Sequence, residues 1–143
     1  MDDWLFENCE HEGLKAAVAA AWERLPEHAR GVIRELHPII EAHDGLIKTR
    51  TGPAHGLAQC FTSVENPAGP VTGYRILIDT QLSPDGLVYA VAHEMAHLYL
   101  YHPRLKRARP GATMLDSFAE QAAIFLVTEV FNFLPEYQIF HAR

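Results

Sequence analysis

The spacing of apolar residues predicts two helices in the first third of the chain. The first covers residues 11–25, where apolar side chains recur every three or four positions. The second covers residues 26–42, with Pro26 near its first turn. Pro38 lies inside this second helix and is expected to kink or shorten it. Residues 1–10 are acidic, and we expect them to be flexible.

The pattern then changes to the short runs that are typical of strands. Residues 46–51, 57–64 and 71–80 are rich in β-branched and aromatic side chains and are separated by Gly and Pro. The third run alternates as a strand with one buried face does, and its buried side chains are expected to be Tyr74, Ile76 and Ile78. We therefore predict a three-stranded, mostly antiparallel sheet.

Two further helices are predicted in the second half of the chain. Ser83 is placed to cap a helix over residues 84–102, with Pro84 at its first position. A strongly apolar helix follows over residues 114–133. The loop between them carries the basic side chains Arg104, Lys106, Arg107 and Arg109. Helices around one small sheet indicate an α+β fold, and 143 residues fit a single domain over residues 1–143.

The helix over residues 84–102 contains the pattern His93-Glu94-Met95-Ala96-His97. Two histidines four positions apart lie about 40° apart on a helix surface, so both imidazoles can reach one ion. Zinc is the expected ion, because neutral imidazole suits it. Glu94 is placed to take a proton from a water that the ion activates. The alternative is a helix with two unrelated histidines and one glutamate.

A catalytic zinc ion usually has three protein ligands, and the next predicted helix supplies a candidate for the third. Glu120 follows His97 by 23 residues and is the only acidic residue in 117–128. The basic loop lets this helix fold back on the preceding one. His93, His97 and Glu120 would then form a His₂Glu site. A salt bridge between Glu120 and the basic loop is the alternative.

Asp116 lies four residues before Glu120 and therefore on the same helix face. One interpretation is that its carboxylate accepts the second N–H of a ligating histidine and fixes the tautomer of that ring. The other is that Asp116 closes a capping box with Thr113 at the start of the helix. The sequence does not decide between them.

Composition and charge narrow the function classes. The chain is 48% hydrophobic and 21% charged, as ordinary globular proteins are, and no apolar run approaches the roughly 20 residues of a membrane helix. The net charge of −6 argues against general nucleic-acid binding. A solvated surface loop is the favoured interpretation of the basic run from Arg104 to Arg109, and contact with an acidic partner or a nucleic-acid phosphate backbone is the alternative. The acidic start is unlike a secretory signal, and Cys9 and Cys60 form no disulfide framework. We therefore expect a cytoplasmic protein with free thiols.

The His93-Glu94-x-x-His97 pattern followed by Glu120 resembles the gluzincin metallopeptidases, most of all the small ImmA/IrrE-type and minimal gluzincin proteins. The segment from Glu120 to Phe125 is similar to their third-ligand helix, although Ala123 stands where that family often has Asn. Residues 74–79 are similar to the edge strand that flanks their cleft and can align an extended peptide. The resemblance covers roughly residues 71–131 and implies a zincin-like fold, a bound zinc ion and peptide-bond hydrolysis with Glu94 as general base.

Three hypotheses follow for the function. The leading one is a zinc-dependent metalloprotease that acts on a protein or peptide substrate, with no membrane partner. The second is a zincin-fold regulatory or binding protein with little or no catalysis. The third is an interaction protein that binds no metal.

Overall fold

The fold was obtained as a computed structural model, which describes residues 3–49, 52–63 and 71–100. A 3₁₀ helix, Asp3–Phe6, precedes the helices α1 (Glu12–Arg24) and α2 (Glu27–Leu36). Five strands follow, namely β1 (Ile39–His43), β2 (Ile47–Thr49), β3 (Gly52–Ala54), β4 (Gly56–Ser63) and β5 (Val71–Asp79). The helix α3 (Pro84–Leu100) comes last among the described elements. The predicted α+β class is confirmed.

Two of the predicted helices begin where their capping residues are. The Nδ1 atom of His11 accepts a hydrogen bond from the Leu14 N–H at 3.1 Å at the start of α1. At the start of α3, Ser83 Oγ accepts from the Gly86 N–H at 3.1 Å, and Pro84 is the first helical residue. Both caps satisfy N–H groups that have no partner inside their helix.

The predicted second helix is wrong beyond Leu36. His37 has the left-handed conformation, with φ 50° and ψ 57°, and its N–H donates to the Ile33 carbonyl at 2.8 Å. Pro38 has no N–H to continue the helical hydrogen bonds, and Trp4 stacks on the His37 ring with 4.5 Å between centroids. Residues 39–43 therefore form β1, where the extended backbone suits the β-branched pair Ile39 and Ile40.

Because residues 39–43 form a strand, the sheet differs from the predicted one. The predicted mostly antiparallel sheet, built from residues 46–51, 57–64 and 71–80, is wrong: the three-stranded sheet has the order β1-β5-β4, with β1 parallel and β4 antiparallel to β5. The predicted first strand appears as β2, which pairs with β3 in a separate two-stranded sheet. The sheet is thus mixed, and the strand that completes it comes from residues predicted as helical.

The strand β5 is the centre of this sheet. Tyr74, Ile76 and Ile78 are buried, as predicted from their alternation. The expectation from the family resemblance that residues 74–79 form an edge strand is wrong, because β5 is paired on both sides. Among the described strands, β1 and β4 are the two edges of this sheet, and β4 is the edge strand that packs against α3.

The helix α3 lies at the middle of the core. It packs against the strands β4 and β5 and against the helices α1 and α2. The alanines that α1 buries allow α1 and α3 to approach closely. The described residues 3–10 are not the flexible segment that the sequence predicts. Leu5 and Cys9 are buried in the core, and Trp4 packs edge-on against Trp22.

Several predictions from the sequence lie outside the described residues. These are the basic loop, the helix over residues 114–133, and with it Asp116 and Glu120. Within the described ranges, none of the helices has both the length and the apolar character to cross a bilayer.

Replacing Ile40 and Ile39 one at a time with Ala tests whether β1 is a strand. Neighbouring side chains of a strand point to opposite faces, and Ile40 is 2% exposed whereas Ile39 is only half-buried. Ile40→Ala should cost about 2–5 kcal/mol of unfolding free energy in a urea titration, and Ile39→Ala clearly less. Equal losses would instead favour the predicted helix over residues 26–42, in which Ile39 and Ile40 both belong to the apolar face.

The reactivity of Cys9 tests the packing of the N-terminal segment. Burial raises the pKa of the Cys9 thiol, and its Sγ donates weakly to the His11 carbonyl at 3.8 Å. Because the thiolate is the reactive form, a Cys60→Ser variant should react with iodoacetamide roughly 100-fold or more slowly when folded than in denaturant. Equal rates in the two states would show that Cys9 is exposed.

Candidate metal centre

The helix that carries the His-Glu-x-x-His pattern is buried on almost all sides. Between Gly86 and Leu98 only Val88 is partly exposed, and Glu94 is the one charged side chain of α3 after its first turn. His97 has 0%, Glu94 5% and His93 6% of its surface exposed. Burying three polar side chains in an apolar helix costs free energy unless they bind one another or a ligand.

The two histidines point to the same place. The Nε2 atoms of His93 and His97 are 3.2 Å apart, and the ring centroids are 4.9 Å apart with 62° between the planes. Nitrogens that bind one tetrahedral zinc ion at about 2.0–2.1 Å are about 3.3 Å from each other. The observed separation therefore fits two ligands of one such ion.

The same distance also fits a hydrogen bond between the rings. One Nε2 would then carry a proton and donate it to the lone pair of the other. This arrangement needs no metal, so the distance is shared by a zinc-binding protein and by an interaction protein that binds no metal. The two Nε2 atoms would face the same point whether a metal ion or a shared proton lay between them.

The ring of Tyr89, one turn before His93, lies against the first of these histidines. Tyr89 is 1% exposed, and its ring centroid is 5.8 Å from that of His93. A buried aromatic ring at this distance limits the rotation of the imidazole. The geometry of the pair is thus fixed by packing as well as by helical spacing.

Glu94 projects toward the start of β4. A Cβ atom built on Gly56 would lie 2.7 Å from Glu94 Oε2 and 2.9 Å from Glu94 Cγ. The backbone of β4 therefore lies directly against this carboxylate side chain. The side chain of the predicted general base is thus held against the start of β4.

Sequence reasoning missed the residues around Gly56. Asp79 is 2% exposed, and its Oδ2 lies 3.0 Å from His55 Nδ1. The alternation of β5 placed Asp79 on the face opposite Ile78, which suggested an exposed position. The usable signal is a lone acidic residue at the end of an apolar strand, four residues before the helix N-cap Ser83.

The two remaining predicted residues cannot be placed from the described part of the chain. Glu120 and Asp116 lie outside it. Within residues 3–49, 52–63 and 71–100, no group of three or more His, Cys, Asp or Glu side chains is arranged to hold a metal ion. The described residues thus supply two histidine nitrogens that lie close together, and Glu94 follows the first of these histidines in the sequence.

Comparisons with protein-family models, with curated proteins and with solved structures gave no match for this chain.

Proposed function

We propose that the protein is a zinc-dependent peptidase whose centre is built on α3. The observation that carries this proposal is the 3.2 Å approach of the His93 and His97 Nε2 atoms beside the buried Glu94. Two imidazoles and one adjacent carboxylate on a single helix are the donors and the base that zinc-dependent hydrolysis uses. The resemblance of this segment to the gluzincins supports the same reaction.

Each side chain has a separate role in this proposal. His93 and His97 hold the ion through Nε2, and Glu120 is the third ligand, as its position in an apolar segment suggests. When bound, zinc supplies a Lewis acid that polarises the scissile carbonyl and makes water a better nucleophile. The Glu94 carboxylate takes a proton from the attacking water and then delivers it to the leaving amine.

A protein or peptide substrate fits the surroundings of Glu94. The strand β4, which lies against Glu94, is an edge strand of the three-stranded sheet among the described strands. An extended peptide can add to such a strand by main-chain hydrogen bonds. This would place its backbone close to the base, because the first residue of β4 contacts Glu94.

The burial of the centre favours a second candidate. His97 has none of its surface exposed, whereas a substrate carbonyl must reach the ion during hydrolysis. A closed centre suits a zincin-fold binding or regulatory protein in which the ion stabilises the core. The two candidates share the metal and differ in whether Glu94 is needed for the biological effect.

The metal content of purified protein tests whether the chain binds zinc, which both the peptidase and the binding protein require. Untagged wild type should contain about one zinc ion per chain by elemental analysis, because three protein ligands suffice for a catalytic site. His97→Ala and Glu120→Ala should each lose the ion or bind it much more weakly.

Two matched substitutions control for general damage. Glu129→Ala changes the next acidic residue after Glu120, and His43→Ala changes a histidine of β1. Both should keep their zinc. If wild type takes up no zinc after equilibration with the metal, the peptidase and the metal-holding binding protein are both ruled out.

Glu94→Gln tests the catalytic part. The amide keeps the size of the side chain but cannot accept the proton, so zinc content should stay at the wild-type value while turnover falls about 10²–10⁴-fold. Fluorescently labelled casein serves as the probe, with chelated wild type as the blank.

Two results would count against the peptidase. Undiminished hydrolysis by Glu94→Gln would remove Glu94 from the mechanism. A zinc-loaded wild type that leaves casein and a set of unstructured peptides intact would favour the binding protein instead.

A further inference from the structure

Gly56 is required by the close approach of β4 to Glu94. Carbon atoms in contact are normally about 3.5–4.0 Å apart, whereas a Cβ on Gly56 would be 2.9 Å from Glu94 Cγ and 3.0 Å from Glu94 Cδ. Any side chain at this position would displace the carboxylate or the strand. The start of β4 therefore forms a wall that limits where the Glu94 carboxylate can lie.

The position of that wall is set by the end of β5. Gly56 is opposite Ile78 in the antiparallel register, and the Asp79 N–H donates to the His55 carbonyl at 2.8 Å. The side chains of the same two residues also meet, with His55 Nδ1 3.0 Å from Asp79 Oδ2. The residue before Gly56 is thus bound to β5 through both its backbone and its side chain.

The Asp79 carboxylate also binds the segment that leads into α3. Its Oδ1 accepts a hydrogen bond from the Gln81 N–H at 2.9 Å. Gln81 lies in the turn between β5 and Ser83, the cap of α3. One buried carboxylate therefore connects the start of β4 to the start of the helix that carries Glu94. Hydrogen bonds to an ionised carboxylate are stronger than neutral ones.

We propose that the Asp79–His55 pair and Gly56 position the Glu94 carboxylate, so that they act on catalysis through Glu94 without touching the substrate. This inference rests on the proposed peptidase function for its catalytic meaning. A base must stay within hydrogen-bond reach of the proton that it takes. A glutamate has three side-chain torsions, and the backbone of β4 at Gly56 limits the conformations that the Glu94 carboxylate can adopt.

A stability cycle tests the contact without any assay of activity. Gly56→Ala should lower the urea midpoint in the wild-type background and lower it clearly less in a Glu94→Ala background, where the added methyl group has room. Gly31→Ala is the matched control, because a Cβ at Gly31 would meet no atom within 4 Å in the described part of the chain, apart from its own helix backbone. Its effect should be the same in both backgrounds.

The same cycle tests the Asp79–His55 pair. In Asp79→Asn and in His55→Ala, the start of β4 is less firmly bound and can move away from the added methyl group. The loss caused by Gly56→Ala should therefore be smaller in both backgrounds than in wild type. An unchanged loss in both, or an equal loss with Glu94→Ala, overturns the inference even if the protein hydrolyses nothing.

Kinetics with labelled casein then separate positioning from general stability. Gly56→Ala and Asp79→Asn should each lower kcat about 10- to 100-fold, while KM and zinc content stay near wild type. Their combination should be no worse than the more damaging single change. Gln59→Ala is the control: it removes another side-chain bond between β4 and β5, the one from Arg75 Nη2 to Gln59 Oε1 at 2.6 Å.

The control and the variants distinguish two kinds of failure. If Gln59→Ala lowers kcat as much as Asp79→Asn does, the effect belongs to the sheet as a whole and the inference is wrong. If wild type binds zinc and hydrolyses no probe, the peptidase proposal fails, while the stability cycle still decides whether these residues hold Glu94 in place.

Discussion

The burial of α3 is the constraint on which the rest of the structure depends. The helices α1 and α2 and the strands β4 and β5 all pack on it, so its side chains are shared by every layer of the core. Most of them are apolar, and their burial drives the assembly. His93, Glu94 and His97 oppose it, because each loses its contact with water. The contact between the two imidazoles offsets part of this cost.

How much of the fold the sequence predicts depends on how local each signal is. The cap at Ser83 acts within one turn, and α3 begins at Pro84, where this residue predicts. The alternation of β5 also follows from its own side chains. The strand β1 does not, because Ile39 and Ile40 are apolar in a helix as well as in a strand. Its conformation is decided by Pro38 and by pairing with β5, which is distant in sequence.

The candidate site divides in the same way. The relation of His93 to His97 is set by helical spacing, so the sequence alone predicts their convergence. The contact of Gly56 with Glu94 and the bond of His55 to Asp79 join residues that are 38 and 24 positions apart. Such contacts follow from the register of β4 on β5 and from the packing of α3 on the sheet. Neither can be derived from spacing along the chain.

The two interpretations of the 3.2 Å separation differ in the position of a proton. A hydrogen bond between the rings needs a proton on one Nε2, whereas a zinc ion needs the lone pairs of both. Each neutral ring that binds zinc through Nε2 must then carry its proton on Nδ1. Since the rings already stand at the distance that zinc requires, loading would change the tautomer of one ring more than the place of either.

The free energy of zinc binding would therefore depend on the groups that face the Nδ1 atoms. A carboxylate there stabilises the N–H form of a ligating ring and raises its basicity. Asp116, four residues before the proposed ligand Glu120, is a candidate for this role, and a capping box with Thr113 is its alternative role. The helix that would complete the coordination would then also supply the group that prepares a histidine for it.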